Sequence, residues 1–122
     1  MKKYSNCLLL CILPVILCFG QTKDETKLFA MIYSPGNEWN HNITFDQQSF
    51  FMEHSKHIQN LRKEGKVVVG GRYSDKGFMI LRAKDSINAV AIVQQDPSVT
   101  NSVFEVEPFE FRPFYSGCVE NK

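Results

Sequence analysis

The chain has 122 residues, with 14 basic and 13 acidic side chains and a formal net charge of +1. This length allows one domain with a single modest hydrophobic core. The balanced charge, without a block of basic residues, argues against nucleic acid as a partner.

The first twenty residues have the pattern of an export signal rather than of a folded domain. Two lysines precede an apolar run over residues 8–17, and Cys18 and Gly20 place small residues where a signal peptidase reads them. We therefore predict a signal peptide over residues 1–20, cleavage before Gln21, and an exported (periplasmic or secreted) protein. A retained membrane anchor is the alternative, but the apolar run is shorter than the roughly 20 residues that a span requires.

Cysteine usage indicates neither a disulfide framework nor a metal cluster. Three of the four cysteines fall in the leader, which leaves Cys118 near the C-terminus. A single thiol cannot form an internal disulfide, and no group of Cys and His residues has metal-ligand spacing. We expect Cys118 to have no structural role, with pairing to a second chain as the alternative.

The mature chain opens with a polar stretch, residues 21–27, which we predict to be a flexible arm. The apolar residues 28–33 predict a first strand, ended by the turn-forming sequence Ser-Pro-Gly-Asn. After a polar loop, Thr44 and Gln47 have the spacing of a capping box, which predicts that a helix opens there.

A long amphipathic helix is predicted from Phe45 to Glu64, with Gly65 as its C-terminal stop. Three- and four-residue spacing gives this helix one apolar face and one charged face. The apolar face contains Phe50, Phe51, His54, Ile58 and Leu61.

Three more strands are predicted, over residues 66–71, 77–82 and 104–114. Pro108 interrupts the last one. Because proline cannot donate to a strand ladder, it predicts either a bulge, which would exchange the two faces of the strand, or an unpaired edge.

A second helix is predicted between the third and fourth strands, capped by Ser86 and extending to about Gln95. The residues predicted to face inward are Ile87, Val90, Ala91 and Val93 or Gln94. A short helical turn is predicted next, because Asp96 precedes Pro97 and this pair is typical of an N-cap followed by the first helical position.

The order of elements, βαββαβ, predicts a ferredoxin-like α+β domain over residues 28–115, followed by a tail over residues 116–122. Both helices should cover one face of its antiparallel sheet. Three strands are nevertheless apolar without alternation, although a strand covered on one side should alternate. We therefore predict that a second copy covers the other face, in a homodimer packed sheet to sheet.

His54 is the main candidate for chemistry, because it is an ionisable ring on an apolar helix face. It suits a general acid or base in a pocket between helix and sheet, or a half-buried histidine bonded to a backbone carbonyl. His57, one turn on, is expected on the helix surface, with membership of the site as the alternative. No third ligand lies near the two histidines in sequence, so no metal site is expected.

Two carboxylates are candidates to partner His54. Asp96 can cap its helical turn with one oxygen and face a pocket with the other, whereas Asp75 lies in a predicted turn where aspartate is common. Arg72 and Ser74 follow the second strand and could bind an anionic substrate at the end of the sheet. The alternative is that both face solvent.

Two parts of the sequence resemble the YciI-like (YCII-related domain) family. The first is HSKHIQNLRKEGKVVVGG at 54–71, and the second comprises DPSV at 96–99, VFEV at 103–106 and FRPF at 111–114. The resemblance implies a dimeric ferredoxin-like α+β domain. It also implies that His54 and Asp96 form the histidine–aspartate pair proposed as the active site of the family.

The sequence departs from the family pattern at two positions. A proline is frequent where Arg72 stands, and an aromatic residue is frequent where Ser98 stands. Both changes affect the shape of the pocket, and hence the substrate, more than the fold. Some relatives look like lyases or dehalogenases acting on muconate-like ring-cleavage products, and the fold is similar to that of muconolactone isomerases.

The resemblance thus implies cofactor-free acid–base chemistry, of lyase, isomerase or dehalogenase type, on a small organic acid. In this hypothesis neutral His54 removes or delivers a proton, and Asp96 orients its ring. A non-catalytic, small-molecule-binding dimer of the cell envelope is the competing hypothesis. A scaffold that has lost both functions is the third.

Overall fold

The computed structural model describes residues 25–115 and residue 117; the predicted leader, most of the predicted arm, and Cys118 lie outside them. Residues 25–115 form an α+β fold with a four-stranded antiparallel sheet and three α-helices. None of these helices is long and apolar enough to cross a membrane. The elements in chain order are β1 (Lys27–Pro35), a 3-10 turn (Phe45–Gln47), α1 (Phe51–Lys63), β2 (Val67–Tyr73), β3 (Lys76–Ala83), α2 (Ser86–Val93), α3 (Pro97–Thr100) and β4 (Phe104–Glu110).

The sheet has the strand order β2-β3-β1-β4, so β1 lies between β3 and the edge strand β4. Alternate β1 residues, Phe29, Met31 and Tyr33, are buried. They belong to one core with residues of α1 and α2, which therefore cover the same face of the sheet. The buried members of this core are Phe29, Met31, Tyr33, Leu61, Met79, Leu81, Ala83, Ala89, Ile92, Val93, Val103 and Phe104.

The opposite face of the sheet is also apolar at its centre. Ala30 pairs with Ile80, and Ile32 pairs with Phe78. Ile80 is only 2% exposed, whereas Phe109, which lies opposite Ala30 on the edge strand, is 54% exposed. The apolar runs of the sequence thus make the second face apolar along β1 and β3, while Glu107, opposite Ile32 on the edge strand, is exposed.

The long helix predicted from Phe45 is divided into two elements. A 3-10 turn ends at Gln47, and the chain then passes through Phe50, whose φ of 61° is left-handed, before α1 begins. The predicted capping pair is correctly located, since the backbone N–H of Thr44 donates to Oε1 of Gln47 at 3.4 Å, but it opens only the 3-10 turn. The predicted stop is confirmed at Gly65, which has a φ of 70°.

Gln48 explains the interruption. Its side chain is buried and makes two hydrogen bonds with the backbone of Asn40: Oε1 accepts from the N–H at 3.0 Å, and Nε2 donates to the carbonyl at 2.8 Å. These contacts tie the preceding loop to the chain at Gln48. Since they involve residues eight positions apart, helical periodicity contains no signal for them.

Helix α2 differs from the prediction in its cap and its rotation. Its N-cap is Asp85 rather than Ser86, and Oδ1 of Asp85 accepts from the N–H of Asn88 at 2.7 Å. The buried residues of the helix are Ala89, Ile92 and Val93. Of the residues predicted to face inward, Val93 is confirmed, whereas Ile87, Val90 and Ala91 are exposed, as is Gln94, the alternative to Val93. The prediction was wrong at Ile87, Val90 and Ala91 because an almost wholly apolar helix has no polar face that defines its rotation.

Pro108 lies on the edge strand and pairs with Met31 without a register shift. The edge alternative is therefore confirmed and the bulge is wrong, because proline is tolerated where one side of a strand has no partner. The irregularity in the sheet lies instead in β2, between Val67 and Val69. The last strand also ends at Glu110 rather than at residue 114.

We predict that Gly36→Ala destabilises the domain. The N–H of Gly36 donates to the carbonyl of Val103 at 2.9 Å, and a Cβ at Gly36 would lie 2.2 Å from the carbonyl oxygen of Ser102. The backbone must shift to avoid this overlap, and the shift should lower the free energy of unfolding by about 1–3 kcal/mol. Urea denaturation measures this change. Gly71→Ala is the matched control, since its Cβ would meet nothing within 4 Å. Equal stabilities of the two variants would contradict the prediction.

Candidate functional site

His54 and Asp96 lie in direct contact. Nδ1 of His54 is 2.6 Å from Oδ2 of Asp96, although the two residues are 42 positions apart. Helix α1 begins directly after the break at Phe50, so His54 lies in its first turn. The N–H of His54 donates to the carbonyl of Phe50 at 2.9 Å. Asp96 is the N-cap of α3. The side chain of His54 is 14% exposed and that of Asp96 is 0% exposed, so the carboxylate lies behind the ring.

Ser98 fixes the other oxygen of this carboxylate. Its backbone N–H donates to Oδ1 of Asp96 at 3.0 Å, and its hydroxyl donates to the same atom at 2.7 Å. Asp96 therefore caps its helix with Oδ1, as predicted, and accepts from His54 with Oδ2, although Asp96 itself does not line the pocket. Sequence reasoning treated Ser98 only as a departure from the family pattern. A serine two positions after an aspartate N-cap is the signal that could have identified this contact.

The carboxylate determines which tautomer His54 adopts. Burial raises the pKa of Asp96, but hydrogen bonds from His54 and Ser98, together with the charge of a protonated His54, lower it below its ordinary value. An ionised carboxylate only accepts hydrogen bonds, so Nδ1 of His54 carries the proton between the two groups. The lone pair of the neutral ring is then on Nε2, as a general base requires.

The ring of His54 forms part of the wall of a pocket of about 600 Å³, between α1 and the sheet. This volume is within the range of small-molecule sites. Two aromatic rings hold the imidazole in place: Tyr33 packs against its edge with centroids 5.6 Å apart, and Phe104 lies at 5.1 Å. The site therefore combines an imidazole of fixed orientation with a cavity large enough for an organic molecule.

Two arginines add positive charge to the pocket. Arg62 of α1 and Arg72 of β2 both line it, and the ion pairs found within residues 25–115 involve neither. The guanidinium of Arg72 lies 4.4 Å from the ring centroid of Phe45, a cation–π contact at the pocket wall. Asp75 adds one negative charge. Because guanidinium groups bind carboxylates through paired hydrogen bonds, the arginines suit an anionic ligand.

The remaining residues singled out from the sequence are distributed unevenly around this pocket. Asp75 lines it but does not contact His54, and Ser74 lies in the β2–β3 turn outside the lining. His57 is half-buried rather than exposed, and its Nε2 has no hydrogen-bond partner among residues 25–115. The same residues contain no group of three or more His, Cys, Asp or Glu side chains that could hold a metal ion.

Sequence reasoning missed Tyr33 and Arg62 as pocket residues. Arg62 follows His54 by eight positions, two helical turns on the same face, so helical spacing contained a signal for it. Tyr33 was read as part of a buried strand. Its position beside His54 depends on packing between β1 and α1, for which the sequence contains no local signal.

Asp96→Asn should reduce stability in a pH-dependent way. The pKa of Asp96 is lowered in the folded state, so its contribution is fully present above its ordinary pKa and is lost as the pH falls through the lowered value. The difference in unfolding free energy between wild type and Asp96→Asn should therefore be large at about pH 7 and shrink below about pH 4. Urea denaturation followed by Trp39 fluorescence measures it. Asp75→Asn is the control, because it removes a carboxylate that has no hydrogen bond in the described structure. If the difference in unfolding free energy between wild type and Asp96→Asn did not change with pH, the proposed role of the Asp96 carboxylate in stability would be refuted.

The chain matches a known family over nearly the whole of the fold described above. A family model described as YCII-related domain matches residues 28–112, from β1 to just beyond β4, and the match includes both His54 and Asp96. The resemblance inferred from the sequence motifs is thereby confirmed. No curated protein and no solved structure gives a significant match. The chain belongs to the YCII-related domain family.

Proposed function

We propose that the protein is a cofactor-independent acid–base catalyst that moves a proton on a small organic acid. The observation that supports this most directly is the 2.6 Å contact between Nδ1 of His54 and Oδ2 of Asp96, made at the wall of a pocket. A buried carboxylate behind a partly exposed imidazole is the arrangement in which a histidine can take up and release a proton reversibly.

In the proposed reaction, Nε2 of His54 removes a proton from a carbon atom of the substrate. The C–H bond breaks, an N–H bond forms, and the electron pair moves into the substrate to form an enolate or to expel a leaving group. Asp96 stabilises the imidazolium that results. Return of the proton to another atom completes an isomerisation, whereas departure of the leaving group completes an elimination. General acid–base catalysis of this kind contributes about 10²–10⁴-fold.

The arginines favour an acid as the substrate. Arg62 and Arg72 both line the pocket and have no carboxylate partner within residues 25–115. A bound carboxylate would satisfy one or both guanidinium groups. Since His54 lines the same pocket, the acid would be held with its reactive carbon near Nε2.

We also propose a ferredoxin-like arrangement and a homodimer formed through the second face of the sheet. The sheet order β2-β3-β1-β4, with helices joining β1 to β2 and β3 to β4, supports the first proposal. The apolar face around Ala30, Ile32 and Phe78 supports the second, because a second copy of the same face would cover it.

The catalytic proposal is tested by deuterium exchange in D2O. Wild-type protein should accelerate exchange of C–H protons in a panel of small 2-oxo acids and unsaturated lactone acids, followed by proton NMR. His54→Ala should lose about 10²–10⁴-fold of the rate, and Asp96→Asn should also be slower, because the ring tautomer is no longer fixed.

The matched control for this test is His41→Ala, which removes an exposed histidine outside the pocket lining and should exchange like wild type. Equal rates in wild type and His54→Ala would exclude His54 as the proton-transfer group. Saturable binding of an acid without any exchange would instead favour the alternative hypothesis of a non-catalytic protein that binds small molecules.

The proposed dimer is tested by placing a charged side chain on the second face of the sheet. Ile32→Glu should convert the protein to a folded monomer in sedimentation velocity, because two carboxylates would be buried between the paired sheets. Ile87→Glu places the same substitution on α2, at a side chain that is 80% exposed, and should leave the dimer intact. A wild-type protein that sediments as a monomer would refute the proposed assembly.

A further inference from the structure

The hydroxyl of Tyr33 is a buried polar group without a partner. Tyr33 is 5% exposed, and its hydroxyl has no hydrogen-bond partner among residues 25–115. Leaving a buried hydroxyl unpaired costs free energy, and native structures seldom do so without a reason. The same residue lines the pocket that contains His54.

The surrounding residues hold the Tyr33 ring in one place. On β1 it packs edge-on against His54, with centroids 5.6 Å apart, and against Phe104, at 6.0 Å. Gly77 is its partner across the sheet, where a Cβ would lie 3.2 Å from the Cβ of Tyr33. These contacts fix the ring between the imidazole and the sheet.

No hydrogen bond joins this hydroxyl to the nearby Asp96 carboxylate within the described residues. Asp96 lies close enough for its charge to affect Tyr33, yet its Oδ2 accepts from His54 and its Oδ1 accepts twice from Ser98. Burial, and secondly the charge of Asp96, raise the pKa of Tyr33 well above its ordinary value. The phenol therefore remains protonated, which makes it a donor rather than a base.

We propose that the Tyr33 hydroxyl is a further catalytic residue, which donates a hydrogen bond to the bound substrate. It would contact the oxygen atom that gains negative charge when His54 removes the proton. The inference rests on the proposed function for the identity of this oxygen, a carbonyl or carboxylate oxygen of the organic acid. A neutral donor aimed at a developing oxyanion strengthens its hydrogen bond as the charge forms, and so accelerates proton removal.

This role differs from a structural one in its effect on the ligand-free protein. Tyr33→Phe removes an unpaired polar atom and keeps the ring, so the urea midpoint of the free protein should stay unchanged or rise. A fall in the midpoint would show that the hydroxyl has a partner in the free fold and would overturn the inference. Tyr73→Phe, at a tyrosine that is 51% exposed and outside the pocket lining, is the matched control.

The catalytic readout is the deuterium exchange rate. Tyr33→Phe should lower kcat by about 10²–10³-fold with a smaller change in KM, because the hydrogen bond is strongest in the transition state. The ratio of wild-type to variant rates should remain constant from about pH 6 to 9, since the raised pKa keeps the phenol protonated. Exchange that is lost in His54→Ala but equal to wild type in Tyr33→Phe would overturn this inference and leave the proposed function standing.

A binding measurement keeps the test decisive if no acid in the panel exchanges. Oxalate, which resembles the enolate of a 2-oxo acid, is titrated calorimetrically into wild type, Tyr33→Phe and Tyr73→Phe. Binding that is about tenfold weaker to Tyr33→Phe, and unchanged to Tyr73→Phe, would support a hydrogen bond from the Tyr33 hydroxyl to the bound acid, even if the proposed proton transfer fails. Equal affinity for all three proteins, or no binding to wild type, would overturn the inference.

Discussion

The Asp96 carboxylate is charged and wholly buried, and the arrangement around it is the constraint on which the rest of the site depends. A buried charge is strongly unfavourable unless donors surround it. Here three donors do so: Nδ1 of His54, and the N–H and hydroxyl of Ser98. The same group starts α3, links it to α1 and fixes the tautomer of the ring. Stability and proposed chemistry therefore rely on one set of hydrogen bonds.

The pocket brings together three hydrogen-bond donor groups, on Arg62, Arg72 and Tyr33. Arg62 and Arg72 have no ion pair within the described ranges, and the hydroxyl of Tyr33 has no acceptor there. Outside the pocket lining, the buried side chain of Gln48 is hydrogen-bonded at both ends of its amide, whereas the buried Nε2 of His57 has no partner among residues 25–115. The unpaired hydroxyl of Tyr33 is buried and therefore reduces stability, whereas the two guanidinium groups are exposed to solvent. All three are hydrogen-bond donors that suit the proposed anionic, oxygen-bearing ligand.

The sheet separates two roles through the alternation of its strands. One set of β1 residues, including Tyr33, faces the helices and reaches the pocket, while the neighbours Ala30 and Ile32 face the opposite side. Both sets are apolar, which explains why these strands do not alternate in sequence. The proposed dimer and the proposed catalyst would thus use opposite faces of β1.

The sequence by itself determined the features that arise from neighbours in the chain: the strands, the stop at Gly65, the capped turn at Asp96, and His54 as the candidate base. Tertiary structure decided the break beside Gln48, the rotation of α2, the choice of Asp96 over Asp75, and the placing of Tyr33 beside the imidazole. The physical reason is range. Caps and turns depend on hydrogen bonds within a few residues, whereas the contact between His54 and Asp96 joins residues 42 positions apart and exists only once the elements have packed.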